Sequence, residues 1–268
     1  MKRFILILLI IHSYSSLRGN NLTHSYELSD TTNKDTSNSF YLTSLFESQL
    51  NQNGRTFGTT QFALGQTVGY EFWNSFDVYA QLYSWSSELI PINMKILGLN
   101  YEKEVSDYLD VFVNYERWNY LPKVKALNNY IDFGGKLYIQ NFEIQSDVTI
   151  LFKGTESANQ LNFSALYTLE QPLSWGNITI EPTASATYGN LNSIYQVYRA
   201  SSKSKKSTPS MPSTDNKIIN YEFSVPINIE IKNHNFEICP IFTKPIAYSI
   251  ETDVTNLFWL RFNYSYEF

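Results

Sequence analysis

The last twelve residues, Leu257-Phe258-Trp259-Leu260-Arg261-Phe262-Asn263-Tyr264-Ser265-Tyr266-Glu267-Phe268, decide the fold. Phe258, Leu260, Phe262, Tyr264, Tyr266 and Phe268 fall on one face of an extended chain. Trp259, Arg261, Asn263, Ser265 and Glu267 fall on the other. A strict period of two is the signature of a strand with one greasy and one wet face.

The same period recurs upstream. In Ile219 to Ile231 the odd positions are Ile219, Tyr221, Phe223, Val225, Ile227, Ile229 and Ile231, with Glu222, Asn228 and Glu230 among the even ones. Phe142 to Lys153 and Leu161 to Glu170 alternate likewise. Charges at every second position for ten residues would ruin the core of a two-sheet sandwich. In a closed barrel they face a watery or paired interior.

Twelve such segments are predicted, at 39–50, 57–72, 76–87, 92–103, 108–119, 130–140, 142–153, 160–170, 176–188, 217–231, 235–248 and 257–268. Most reach the roughly 9–11 residues a tilted strand needs to cross a bilayer. Ile96, Leu97 and Leu99 put apolar residues in both phases, so a bulge is expected there. The connections test the assignment independently. The second, fourth, sixth, eighth and tenth are brief: 73–75, 104–107, Asn141, 171–175 and 232–234. Those between them are mostly longer, including 51–56, 120–129, 154–159, 189–216 and 249–256. Short turns on the periplasmic side and longer loops outside are what a bacterial barrel requires. The predicted fold is all-β, a transmembrane antiparallel up-and-down barrel of about twelve strands occupying 39–268.

Residues before 39 read differently. Lys2 and Arg3 precede the apolar run Phe4 to Ile11, and Ser13, Ser15 and Ser16 supply small residues beyond it. This predicts a secretory signal over 1–16, cut near Ser15 or Ser16. The Ser-, Thr-, Asn- and Asp-rich stretch 17–38 reads as a flexible periplasmic tail.

Composition excludes several classes. Tyr 20, Phe 18 and Trp 5 sit in a chain that is polar on average, as alternation demands. A net charge of −5 argues against nucleic acid as a partner. Cys239 is the single cysteine, so there is no disulfide framework. His12, His24 and His234 are the only histidines. The first belongs to the signal, the second to the tail and the third to a predicted turn. No hydrolase elbow, zincin motif or phosphate loop is present. Neither an enzyme nor a cofactor or metal is expected.

The C-terminal strand ending in Phe268 resembles the signal by which bacterial outer-membrane proteins are recognised by their assembly machinery. The resemblance rests on Phe258, Leu260, Phe262, Tyr264, Tyr266 and Phe268. It implies an outer-membrane location, outer-membrane lipid as surroundings and the assembly machinery as a partner, and it says nothing of a substrate.

Alternation projects Asp110, Glu116, Asp132, Lys136, Glu143, Asp147, Glu222, Glu230 and Arg261 into the lumen. Glu71, Asp77, Glu170, Glu181, Glu237, Glu267, Lys153 and Lys232 share that phase. Carboxylates outnumber bases, and rings of acidic side chains favour cations. The leading expectation is a passive channel or small-solute transporter with an acidic lumen. The alternative is a non-conducting barrel acting through its outer loops. Lumen-facing Tyr79, Tyr83, Phe112, Tyr138, Leu151 and Leu166 would help fill such a bore. Trp73, Trp85, Trp118, Trp175 and Tyr248 are expected in interfacial girdles. Trp259, also near a strand end, falls on the inward phase. Basic residues of the 189–216 loop read as a solvated loop or a contact for anionic surface sugars.

Overall fold

A computed structural model of the chain describes residues 38–49, 62–73, 75–85, 93–120, 127–154, 156–190, 216–246 and 255–268. The predicted signal, the tail up to residue 37, Tyr248 and most of the 189–216 loop lie outside these residues, as does the side chain of Trp85.

The strands are β1 (Ser39–Glu47), β2 (Ala63–Phe72), β3 (Phe76–Trp85), β4 (Met94–Ser106) and β5 (Leu109–Tyr120). They continue as β6 (Asn129–Ile139), β7 (Phe142–Lys153), β8 (Glu156–Tyr167), β9 (Leu169–Leu173) and β10 (Gly176–Ile180). The last are β11 (Thr183–Gly189), β12 (Lys217–Ser224), β13 (Ile227–Ile231), β14 (His234–Pro245) and β15 (Leu257–Glu267). Each pairs antiparallel with its neighbours, and β1 pairs with both β2 and β15, so the sheet closes. β8 with β9, β10 with β11, and β12 with β13 are single wall strands with a short break. Counted so, the wall is a closed barrel of twelve strands. Closure leaves the ladder without open edges around the wall, the condition for strands in lipid.

The breaks have a cause in proline. They fall at Thr168, at Glu181-Pro182 and at Val225-Pro226, side by side across the sheet. Tyr167 N donates to the Pro182 carbonyl at 3.2 Å, Glu181 N to that of Pro226 at 3.0 Å and Val225 N to that of Pro240 at 3.1 Å. Pro240 keeps unbroken register with β15 on one side and faces the 225–226 gap on the other. A proline lacks the N–H a central ladder needs, so the irregularities collect where prolines can be neighbours.

The two faces are segregated as the alternation requires. Every Asp and Glu whose side chain is described within a strand lies on the inner phase. The outer phase carries exposed Leu97, Leu99, Val113, Phe133, Phe163, Phe223 and Phe258. At the short-turn end it becomes aromatic. Phe40 meets Phe268 with ring centroids 5.4 Å apart, Tyr70 meets Phe72 at 4.6 Å, Phe142 meets Tyr167 at 4.7 Å and Phe236 meets Tyr264 at 4.7 Å. Amphipathic rings concentrate at such a level because one end is apolar and the other wet. Exposed Trp73 and Trp175 sit in the turns of this end.

Several sequence expectations need correction. No bulge interrupts 96–99: Ile96 is 5% exposed and Leu97 56%, in unbroken register with β3 and β5. The irregularity falls at Glu104/Ser106 instead. Ile219 turns inward, because a register shift opposite Thr187/Tyr188 inserts one extra residue and puts Ile218 on the outer face. The connection expected at 154–159 shrinks to 154–155, since β8 begins at Glu156. His234 opens β14, paired with Ile231 and Tyr266, and so is not part of the turn. Trp118 lies on the inner phase, stacked on Tyr130 with centroids 5.5 Å apart, outside any lipid-facing girdle.

Candidate functional site

The inner wall gathers the chemistry. Its first feature is a device used three times. Tyr41 on β1 crosses β2 above Gly69 and donates to both carboxylate oxygens of Asp77 on β3, at 2.8 and 2.7 Å. Tyr79 on β3 crosses β4 above Gly98 and donates to Glu116 on β5. Tyr83 on β3 crosses back over β2 near Gly65 and donates to Glu47 on β1. The glycines are what admit the rings. A Cβ at Gly69 would lie 2.2 Å from Tyr41 Cζ, and one at Gly98 would lie 2.0 Å from Tyr79 Cζ. Each tyrosine therefore lies along the wall rather than across the bore.

The second feature is cationic. Lys136, 2% exposed, reaches from β6 over Phe112 on β5 to Glu102 on β4, Nζ to Oε1 2.7 Å. Its nitrogen stands 5.2 Å from the Phe112 ring centroid, a cation–π distance. Tyr138 beside it donates to Asp110 at 3.0 Å. Arg261 on β15 donates through Nε to Glu237 on β14 at 2.9 Å. Buried charge is tolerated only when it is paired and hydrogen-bonded, and both bases meet that condition.

The third feature is a carboxylate pair with amide and hydroxyl neighbours. The Thr149 hydroxyl lies 3.2 Å from Asp132 Oδ1 and 3.5 Å from Asp147 Oδ2. Asn162 and Gln145 each donate to Asp147, at 2.6 and 3.2 Å. Elsewhere Thr243 donates to Glu222 at 3.0 Å and Asn228 to Glu181 at 3.1 Å. Apolar groups line the inner wall toward the end with the longer connections: Leu127, Leu151 and Ala158 form one cluster, and Cys239, Ile241 and Trp259 another.

Of the residues expected in the lumen, Glu116, Asp132, Lys136, Glu143, Asp147 and Arg261 are buried there. Asp110 and Glu222 are half-buried on the same phase, as is Glu230 near the short-turn end. Glu170, Glu267, Lys153 and Lys232 are exposed, because they stand at strand ends or in a turn beyond the enclosed interior. Alternation alone had not singled out Glu47 or Glu102. β1 has apolar residues in both phases (Phe40, Leu42 against Tyr41, Leu45), which hides the parity of Glu47. A bulge at 96–99 would have turned Glu102 outward. The one visible signal was the same-face glycine pair Gly65 and Gly69 opposite tyrosines. His234, the described histidine, stands on the outer phase with its Nδ1 2.8 Å from Tyr264 Oη, stacked among Phe236, Tyr264 and Tyr266.

No family model matches this sequence, and no curated protein matches it. Solved structures do share the fold. The chain is similar to LpxR from Salmonella typhimurium with a TM-score of 0.51 at 9% identity, over 85% of this chain and 99% of that one. It is similar to the KdgM porin with a TM-score of 0.50 at 10% identity, over 87% of this chain and 99% of that one. The chain thus has the fold of a bacterial outer-membrane β-barrel, and no subfamily is singled out.

Proposed function

We propose that this chain is an outer-membrane channel or small-solute transporter whose acidic inner wall favours cations. The observation that carries the reading is the lie of Tyr41, Tyr79 and Tyr83. Side chains large enough to block a twelve-stranded bore instead run along its wall, held there by glycines and by carboxylates two strands away. A barrel of this size exceeds the eight-stranded kind that side chains fill and is narrower than porins of sixteen strands. Carboxylates on the inner phase, with Lys136 and Arg261 as the buried bases, would bias such a path toward cations. The same reading takes 1–16 as the export signal, the bacterial outer membrane as the location and the strand ending at Phe268 as the handle for assembly. It assigns no catalysis.

Planar-bilayer conductance of the refolded barrel under a salt gradient tests it. Stable channel steps with a cation-biased reversal potential are expected, and Glu222→Gln with Glu230→Gln should reduce that bias. A folded, detergent-stable barrel that never conducts removes the channel reading. The second reading, a closed barrel acting through its outer loops, is favoured by the two apolar inner clusters around Leu151 and Trp259. It predicts the non-conducting outcome.

A further inference from the structure

The outer face holds a feature the channel reading does not use. No Asp or Glu with a described side chain occupies an outward strand position, yet Lys95 and Arg117 do, at the end with the longer connections. They lie directly beyond the exposed apolar side chains of Leu97, Leu99 and Val113. Lys95 pairs across the ladder with Asn119, and Leu97 with Arg117, so the two bases are diagonal neighbours. Such positions stand about 7–8 Å apart, close enough for both side chains to meet one anion. The Arg117 guanidinium is oriented by one nitrogen: Nη1 donates to Asn129 at 2.7 Å and to Asn128 at 3.3 Å. Its other donors and the Lys95 ammonium have no partner among the described residues. The exposed Asn119 amide borders the same patch, bonded to the Arg117 carbonyl.

We infer that Lys95 and Arg117 form a binding site for the phosphate of a lipid headgroup in the leaflet at this end. Two cations with no counter-charge among the described residues, at the edge of a lipid-facing band, match a headgroup phosphate, and a planar guanidinium suits its oxygens. On β4 the next outward base is Lys103, eight residues on. About 26 Å of strand, tilted by about 40°, puts it roughly 20 Å lower, at the opposite interface. The inference rests on membrane insertion, not on conductance.

Native mass spectrometry of the detergent-solubilised barrel tests it, with a bisphosphorylated glycolipid and its dephosphorylated counterpart as probes. The wild type is expected to retain the phosphorylated lipid, and Lys95→Gln with Arg117→Gln to weaken retention about thirtyfold. Lys103→Gln should leave it unchanged, and unaltered gel mobility before heating checks that each variant is folded. Equal retention by the double variant, equal retention of the dephosphorylated lipid, or displacement by millimolar inorganic phosphate overturns the assignment. A barrel that stayed soluble without detergent would instead overturn the membrane reading itself.

Discussion

Tyr79 reaches Glu116 across an intervening strand because the residue it passes over, Gly98, has no side chain. The bond and the glycine are one design: a ring pressed on bare backbone delivers its hydroxyl to a carboxylate that would otherwise be buried without that donor. Both Tyr41 over Gly69 and Tyr79 over Gly98 place aromatic surface where glycine leaves the strand uncovered, a known means of pinning register.

Gly98→Ala should therefore act through Tyr79. The added methyl cannot coexist with the ring, so the ring must lift and lose Glu116. A destabilisation of about 2–3 kcal/mol is expected in urea unfolding of the detergent-folded barrel. Adding Tyr79→Ala should relieve the clash, so the two substitutions should combine to less than their sum.

The Lys136–Glu102 pair predicts a second non-additivity. Glu102→Gln leaves a buried ammonium short of its counter-charge and should cost about 3 kcal/mol. Lys136→Met alone should cost a similar amount, because Glu102 is left facing Asp110 and Glu143. The double variant should be less damaged than the sum, as measured by a double-mutant cycle.

Arg261 stands beside inner-phase carboxylates of β1 and β14. Its register partner is Glu47 and its hydrogen-bond partner Glu237. Arg261→Gln should shift the reversal potential further toward cation selectivity. An unchanged or anion-shifted potential would separate this cluster from the conduction path.

Cys239 reports on the packing of the inner wall. It is fully buried against Ile241 and Trp259, and it is the chain's single thiol. A maleimide should react slowly with the folded barrel and rapidly in denaturant. Rapid labelling of the folded protein would mean that the inner cluster around Trp259 opens to reagent entering the lumen.

Phe268 packs on Phe40, and its N–H donates to the Phe40 carbonyl at 3.0 Å, at the closing seam. Deleting it should lower the yield of inserted barrel in cells more than it lowers stability of the refolded protein. The aromatic contact is worth about 1 kcal/mol, which the folded barrel should survive.

The strand ladder, its even count and the face that most strands turn to lipid followed from local alternation, because side-chain direction along a strand depends on parity alone. That holds for Phe258 through Phe268 and for Phe142 through Lys153 without correction. Parity fails where one residue is inserted. The shift opposite Thr187/Tyr188 sent Ile219 inward, and nothing within its own segment announces it, since a bulge is a property of two paired strands. What fills the interior was equally hidden. Tyr79, Gly98 and Glu116 are far apart in the chain, and Lys136 meets Glu102 across β5. Only closure of the barrel and the register of three adjacent strands bring such groups together, so sequence settled the inward face where alternation ran unbroken, while tertiary structure decided the rest and what each inward side chain meets.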